Sequence, residues 1–300
     1  MGHIITDLKE TFRRGNTFIR LIYINVGIFV IGTLISVILQ LFNLSATGIF
    51  DLFALPASLH RFILQPWSLL SYMFMHAGFL HILFNMLWLY WFGSLFLYFF
   101  SGKHLRGLYV LGGICGGLFY MIAYNIFPYF SQTLPFSTLV GASASVLAIV
   151  AATAYREPNY RVQLFLFGAV RLKYLALIVI GTDLLFITSN YAGGHIAHLG
   201  AALAGLWFAA SLSKGKDVTY WINWFLDGFA SLFQKKTWKR KPKMKVHYGS
   251  DTSREKDYDY NARKKAQSDE VDRILEKLKK SGYESLTTEE KKSLFDASKR

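Results

Sequence analysis

The chain alternates long apolar stretches with short polar connections, and the lengths of the stretches indicate what they are. Apolar runs at about 20–42, 75–99, 107–128, 139–155, 172–189 and 195–213 are each near the roughly 20 residues that an α-helix needs to cross about 30 Å of hydrocarbon. The pattern predicts six spanning helices. Their connections differ in charge. Lys9, Arg13, Arg14 and Arg20 precede the first run, Lys103 and Arg106 join the second to the third, Arg156, Arg161, Arg171 and Lys173 join the fourth to the fifth, and Lys214 and Lys216 follow the sixth. The alternate connections are nearly free of Lys and Arg, with Arg61 in the first. By the positive-inside bias both termini are expected on the cytoplasmic side, of a plasma membrane or, in a bacterium, the inner membrane. The first run is too long for a signal-peptide core and no small-residue cleavage site follows it, so an uncleaved spanning helix is expected.

Two stretches outside the runs are also apolar. The loop at about 43–74 contains Ile49-Phe50-Asp51-Leu52-Phe53 and Pro66-Trp67, and is expected in the outer interface with Trp67 as an anchor. Tyr220-Trp221-Ile222-Asn223-Trp224-Phe225-Leu226-Asp227 is expected to lie along the inner surface. Near the end, Val271, Ile274, Leu275 and Leu278 follow helical spacing, with Ser268 to cap that helix and Gly282 to stop it. Thr287-Thr288-Glu289-Glu290 then offers a capping box for a second helix carrying Leu294 and Phe295. The predicted organisation is a cytoplasmic N-terminus (1–19), a membrane domain (20–213), an interfacial amphipathic segment (214–233), a basic and polar linker (234–267) and a short two-helix cytoplasmic module (268–300). So small a module has little core of its own, and a docking partner is expected for it.

Composition agrees with this organisation: 53% of the 300 residues are hydrophobic and 17% charged, which points away from a soluble protein. The fold class is all-α, a polytopic membrane protein. The formal charge is +14, and the segment from Gln234 to Arg300 has 20 Lys and Arg against 12 Asp and Glu, so 20 − 12 = +8 of it belongs to the tail. Seven basic residues between Lys235 and Lys245, directly after an interfacial segment, are expected to meet anionic lipid headgroups rather than nucleic acid. Cys115 is the single cysteine, so neither an intrachain disulfide nor a cysteine metal site is expected.

Ionisable and polar groups inside apolar helices are costly and face a partner or a wet cavity. The second helix carries His81 and Asn85, four apart and therefore on one face. The fourth has Ser143 in its first turns, inside Gly141-Ala142-Ser143-Ala144-Ser145, and the sixth has His198. All three helices run inward in the charge-derived topology, so the four residues reach a similar depth below the outer interface. Ala144, Ala148 and Ala152 on the fourth helix, and Ala197, Ala201, Gly205 and Ala209 on the sixth, form small-residue stripes that let backbones approach closely. Ser143 and His198 sit beside the heads of these stripes. A serine hydroxyl is a weak nucleophile unless a base takes its proton, and this packing would bring the two together.

These motifs resemble the rhomboid family of intramembrane serine proteases: Gly-x-Ser at Gly141–Ser143, His-x-x-x-Asn at His81–Asn85, and Ala197-His198 followed by small residues, in order within a six-helix core over about residues 15–213. The resemblance implies Ser143 as nucleophile and His198 as its general base in a dyad without an acid. It implies His81 and Asn85, with the backbone N–H of Ser143, as oxyanion stabilisers. It also implies substrates that are membrane proteins with a spanning helix, cut near its outer end, and no metal or organic cofactor. The chain departs from the family pattern in three places. Leu147 stands where an aromatic often supports the imidazole, Ala144 where Gly is frequent, and His60-Arg61 is the nearest approach to a first-loop Trp-Arg pair. No acid is expected beside His198, which leaves its orientation unexplained.

Several other polar residues lie near these motifs. Ser145 is turned about 200° from Ser143 on a helix and cannot face the same base. His195, one turn before His198, and His76 are expected to bond loops or the interface. Asp183, within the fifth helix, is a functional residue by default, with capping or polar packing equally open. His76 and His81 are five apart, about 140° around a helix, with no third ligand, so zinc is not expected. Two other functions fit the same pattern: an inactive rhomboid-like protein that binds spanning helices and steers their traffic, and an ion or solute pathway. The presence of both Ser143 and His198 disfavours the first, and the lack of a polar continuation into the inner half disfavours the second.

Overall fold

The computed structural model describes residue 12 and residues 15–45, 47–164, 168–233 and 251–298, and they form an α-helical membrane protein with two short antiparallel strand pairs. Residues 1–235 and 236–300 form separate compact units.

In the first unit the six predicted helices are present. They are α1 (Thr17–Leu41), α5 (Phe79–Phe99), α6 (Gly102–Ile126), α7 (Ser143–Arg156), α8 (Leu172–Leu185) and α9 (Ala192–Ser213). Among the described residues α1, α5, α6 and α9 are long and apolar enough to cross a membrane. The long first loop is folded rather than merely interfacial. It holds α2 (Thr47–Phe53), α3 (Leu59–Leu64) and α4 (Ser68–Ser71), with strand β1 (Leu55–Pro56) pairing antiparallel with β2 (Thr138–Leu139) ahead of α7. Leu55 and Ala57 are fully buried, and the Trp67 indole donates to the Leu52 carbonyl at 2.8 Å. A hairpin of β3 (Arg161–Leu164) and β4 (Gly168–Arg171), which the apolar pattern did not predict, joins α7 to α8.

The helices differ in environment for reasons visible in their residues. In α1 only Phe18, Leu21 and Asn25 are buried, as suits a peripheral span. A polar attachment is made by Asn25, which donates to the Tyr109 hydroxyl at 3.1 Å while that hydroxyl donates to the Met73 carbonyl at 3.0 Å. By contrast, Ala144 through Ala154 of α7 are all buried. Small residues make this possible. A methyl group at Gly205 of α9 would overlap the Ala148 carbonyl oxygen of α7, so the expected close approach of these two helices is observed, and Gly205 permits it.

The ends of the helices are shifted from the apolar pattern. α7 begins at Ser143 rather than 139, because Thr138 and Leu139 are taken up in the strand pair and Gly141 has φ +128°, a value a helix cannot contain. With 14 residues it is about 21 Å long, too short for the 30 Å of a bilayer core. The backbone before it is therefore non-helical and packed inside protein, where its polar groups find partners: the Gly141 N–H donates to the Tyr72 carbonyl at 3.0 Å. α8 ends at Leu185, short of 189, and α6 begins earlier than expected because Ser101 caps it, its hydroxyl accepting from the His104 N–H at 3.2 Å.

The predicted segment at 214–233 is a helix over Tyr220–Phe233, α10. It presents its polar face to the bundle: Arg106 donates to Asn223 Oδ1 at 2.7 Å and to Asp227 at 2.6 Å. Tyr220, Trp221, Trp224 and Phe225 stay exposed, an inversion of a soluble helix that suits a lipid surface.

In the second unit α11 spans Asp251–Ser281 and α12 Thr288–Ser298. The expectation of a linker to 267 with a cap at Ser268 is overturned, since Ser268 lies within a continuous helix; the helix propensity of its Lys, Arg, Ala and Gln neighbours carries it backwards. Gly282 ends it at φ +75°. The capping box is present, with the Thr287 N–H donating to Glu290 at 2.9 Å and the Glu290 N–H to the Thr287 hydroxyl at 3.3 Å. The basic run Lys235–Lys245 lies outside the described residues.

Candidate functional site

Ser143 is the first residue of α7, so its backbone N–H belongs to the first turn, whose donors have no intrahelical acceptor, at the positive end of the helix dipole. Its hydroxyl points across the close α7–α9 packing and donates to His198 Nε2 at 2.7 Å. The bond spans 55 residues of sequence, and the small-residue stripes make it short. Ser145 is fully buried and turned away, its hydroxyl 3.9 Å from the Met73 sulfur, so the choice between the two serines follows from helix geometry.

His81 and Asn85 approach the same point from α5. The Ala77 N–H donates to His81 Nδ1 at 3.3 Å, which leaves His81 Nε2 as the protonated, donating nitrogen. That nitrogen lies above Gly141: a β-carbon there would be 2.9 Å from His81 Cε1 and Nε2, and 3.7 Å from Ser143 Oγ. Gly141 is thus required both by its φ and by the ring over it. Asn85 is buried and donates one amide hydrogen to the His81 carbonyl at 2.8 Å, keeping a second donor. His76 is buried with its ring centroid 5.2 Å from that of His81, packing beside the oxyanion candidate. A cavity of about 860 Å³ opens here, lined by Ser143, His198, His81, Asn85, Leu147 and His195 among others.

Beyond the sequence reading, the structure brings a carboxylate into the site. Asp183 Oδ1 lies 2.9 Å from His198 Nδ1 and 2.8 Å from His195 Nδ1, so the expectation of no acid beside His198 is corrected. Asp183 is 15 residues from His198 in the chain, and only the α8–α9 packing makes them neighbours. The signal in the sequence was an acid inside an apolar helix, but nothing there oriented α8. His195, expected to bond a loop, bonds this carboxylate instead. Among the described residues Asp183, His195 and His198 are the group that could hold a cation, their ligand atoms lying within 4.8 Å of one another. Their N···O distances are those of ordinary hydrogen bonds, so a divalent ion would have to displace both protons. Arg61, half of the first-loop pair, donates to the Pro135 carbonyl at 3.4 Å and so ties the first loop to the segment before α7.

A family model described as the Rhomboid domain matches residues 64–215. A second, described as a family of unknown function, DUF6576, matches residues 254–300. The RHOMBOID-like protein 12, mitochondrial, of Arabidopsis thaliana is 31% identical over 163 residues, which cover 50% of this chain and 47% of that protein. The chain thus spans about half the length of this curated relative.

Proposed function

Since the chain belongs to the rhomboid family, whose domain spans residues 64–215, we propose that it is an intramembrane serine endopeptidase that cuts single-span membrane proteins near one end of their spanning helix. The observation that carries this reading is the 2.7 Å hydrogen bond from Ser143 Oγ to His198 Nε2 at the edge of a peptide-sized cavity. His198 Nε2 takes the hydroxyl proton as Ser143 Oγ bonds to the scissile carbonyl carbon. The oxygen becomes an oxyanion, facing His81 Nε2–H, the free Asn85 amide hydrogen and the Ser143 N–H. Preorganised donors of this kind each contribute about 10²–10³ in rate. Collapse breaks the C–N bond while His198 returns the proton to the leaving amine, and water, activated by the same imidazole, hydrolyses the acyl-serine. A helical peptide bond is shielded by its own hydrogen bonds, so substrates with small or helix-destabilising residues at the cleavage point are favoured.

On this reading the site faces the outer side, both termini are cytoplasmic, and Lys235–Lys245 contacts anionic lipid. The test is a fluorophosphonate probe and a quenched spanning-segment substrate on detergent-solubilised protein. Loss of labelling and cleavage in Ser143→Ala and His198→Ala, with retention in Ser145→Ala, is expected. Activity that persists in Ser143→Ala sinks the mechanism, and a wild type inert to both reagents indicates instead an inactive rhomboid-like binder of spanning helices.

A further inference from the structure

Asp183 lies in the last turns of α8, where a helix dipole disfavours negative charge and where a carboxylate has no free N–H to cap. Its side chain is 6% exposed. Burying a carboxylate is costly unless it is paired and hydrogen-bonded, so this position requires a compensating reason. Neither capping nor packing supplies one: Oδ2 is buried without a hydrogen-bond partner among the described residues, and Oδ1 accepts from His195 Nδ1 at 2.8 Å and from His198 Nδ1 at 2.9 Å. Among the described residues, the two imidazoles hold the hydrogen bonds that the carboxylate makes.

We infer that Asp183 is the positioning residue of the catalytic base, extending the Ser143–His198 pair to Ser143–His198–Asp183, with His195 holding the carboxylate in place. The inference rests on the peptidase reading above. An ionised carboxylate only accepts, so the Nδ1 of His198 must carry the proton. The other nitrogen, Nε2, is then unprotonated and free to accept from Ser143 at 2.7 Å. Asp183 therefore selects the tautomer that can act as a base, fixes the ring plane, and stabilises the imidazolium formed when the serine proton arrives. It supplies the orientation that Leu147, lacking an aromatic ring, does not. His195 donates to the same oxygen from one turn earlier on α9, and the charge would be under-compensated without it.

The experiment uses the full-length chain in detergent with a spanning-segment substrate and the serine probe. Asp183→Asn and Asp183→Ala are expected to lower kcat by about 10²-fold or more with KM little changed, and to slow probe labelling in parallel. The other groups facing His198, namely His195 of its own helix, His81 of α5 and Ser143 of α7, are unchanged in these variants. Formate, a small carboxylate, is expected to restore part of the activity of Asp183→Ala. Variants that keep wild-type kcat overturn the inference. So does a loss of kcat in Asp183→Ala that formate does not restore, which is the behaviour of a purely structural residue. Should the wild type itself fail to react at Ser143, the peptidase reading fails, and the ¹⁵N shifts of His198 still decide the positioning role. A proton on Nδ1 in the wild type that is lost from Nδ1 in Asp183→Ala supports it, and the same tautomer in both overturns it.

Discussion

Replacing Gly141 with alanine tests the oxyanion geometry with a single methyl group. Gly141 has φ +128°, a region that costs a residue with a β-carbon about 1–3 kcal/mol. The new β-carbon would lie 2.9 Å from His81 Cε1 and Nε2, whereas carbon atoms rest at about 3.5–4.0 Å. The imidazole must therefore retreat by roughly 0.6 to 1.1 Å, since the other partner is backbone held by the Tyr72 carbonyl. Misplacing a reacting or stabilising group by about 1 Å costs about 10²-fold, close to the loss of one oxyanion donor. Gly141→Ala is thus expected to lower kcat on a quenched substrate by about 10²-fold while lowering thermal stability by no more than the backbone strain. Gly27→Ala, where an added β-carbon meets nothing within 4 Å, is the control and keeps full activity. A Gly141→Ala protein with kcat within about threefold of wild type would refute both the placement of His81 and its role.

The other predictions follow from the same contacts. If His195 acts only through Asp183, His195→Ala lowers kcat by about tenfold in the wild-type background and adds little in an Asp183→Asn background; additive losses in a double-mutant cycle would separate the two residues. In the C-terminal unit, Thr287→Ala removes half of the capping box and costs α12 about 1 kcal/mol, seen as faster hydrogen exchange of its first-turn amides in the full chain with proteolysis unchanged. Hydrogen bonds from Lys277, first, and then from Thr287 hold the Glu290 carboxyl below its ordinary range. A depressed folded-state value means that its contribution is present above the unfolded carboxylate range and is lost as pH falls through the folded one, so the same amides lose protection on acidification.

Much of the candidate site could be inferred from pattern. Run lengths identified the six helices, and the four-residue spacing of His81 and Asn85 put them on one face. The alanine and glycine stripes announced which two helices would touch, and the 200° turn between Ser143 and Ser145 put the two hydroxyls on different sides of the helix. These are local properties, carried by periodicity within a single helix. Boundaries were less accessible where tertiary pairing competes with apolar character. Val140 and Leu139 look helical in sequence, but Leu139 pairs with Leu55 across more than eighty residues, and Gly141 turns the chain.

What the sequence determined by itself is therefore the membrane class, the six principal helices of the membrane domain, the pairing of Ser143 with His198 and the two oxyanion candidates, because each is written as run length, as spacing along one helix or as small residues at a contact. What only the tertiary structure decided is how His198 is held. Asp183 carries no partner within its own helix, and its meaning depends on the rotation of α8 about its axis and on its docking against α9. Neither is encoded in the apolar run that contains it. The physical reason is that a buried charge declares only that some partner is needed, and the three-dimensional packing names that partner as the imidazole pair of His195 and His198.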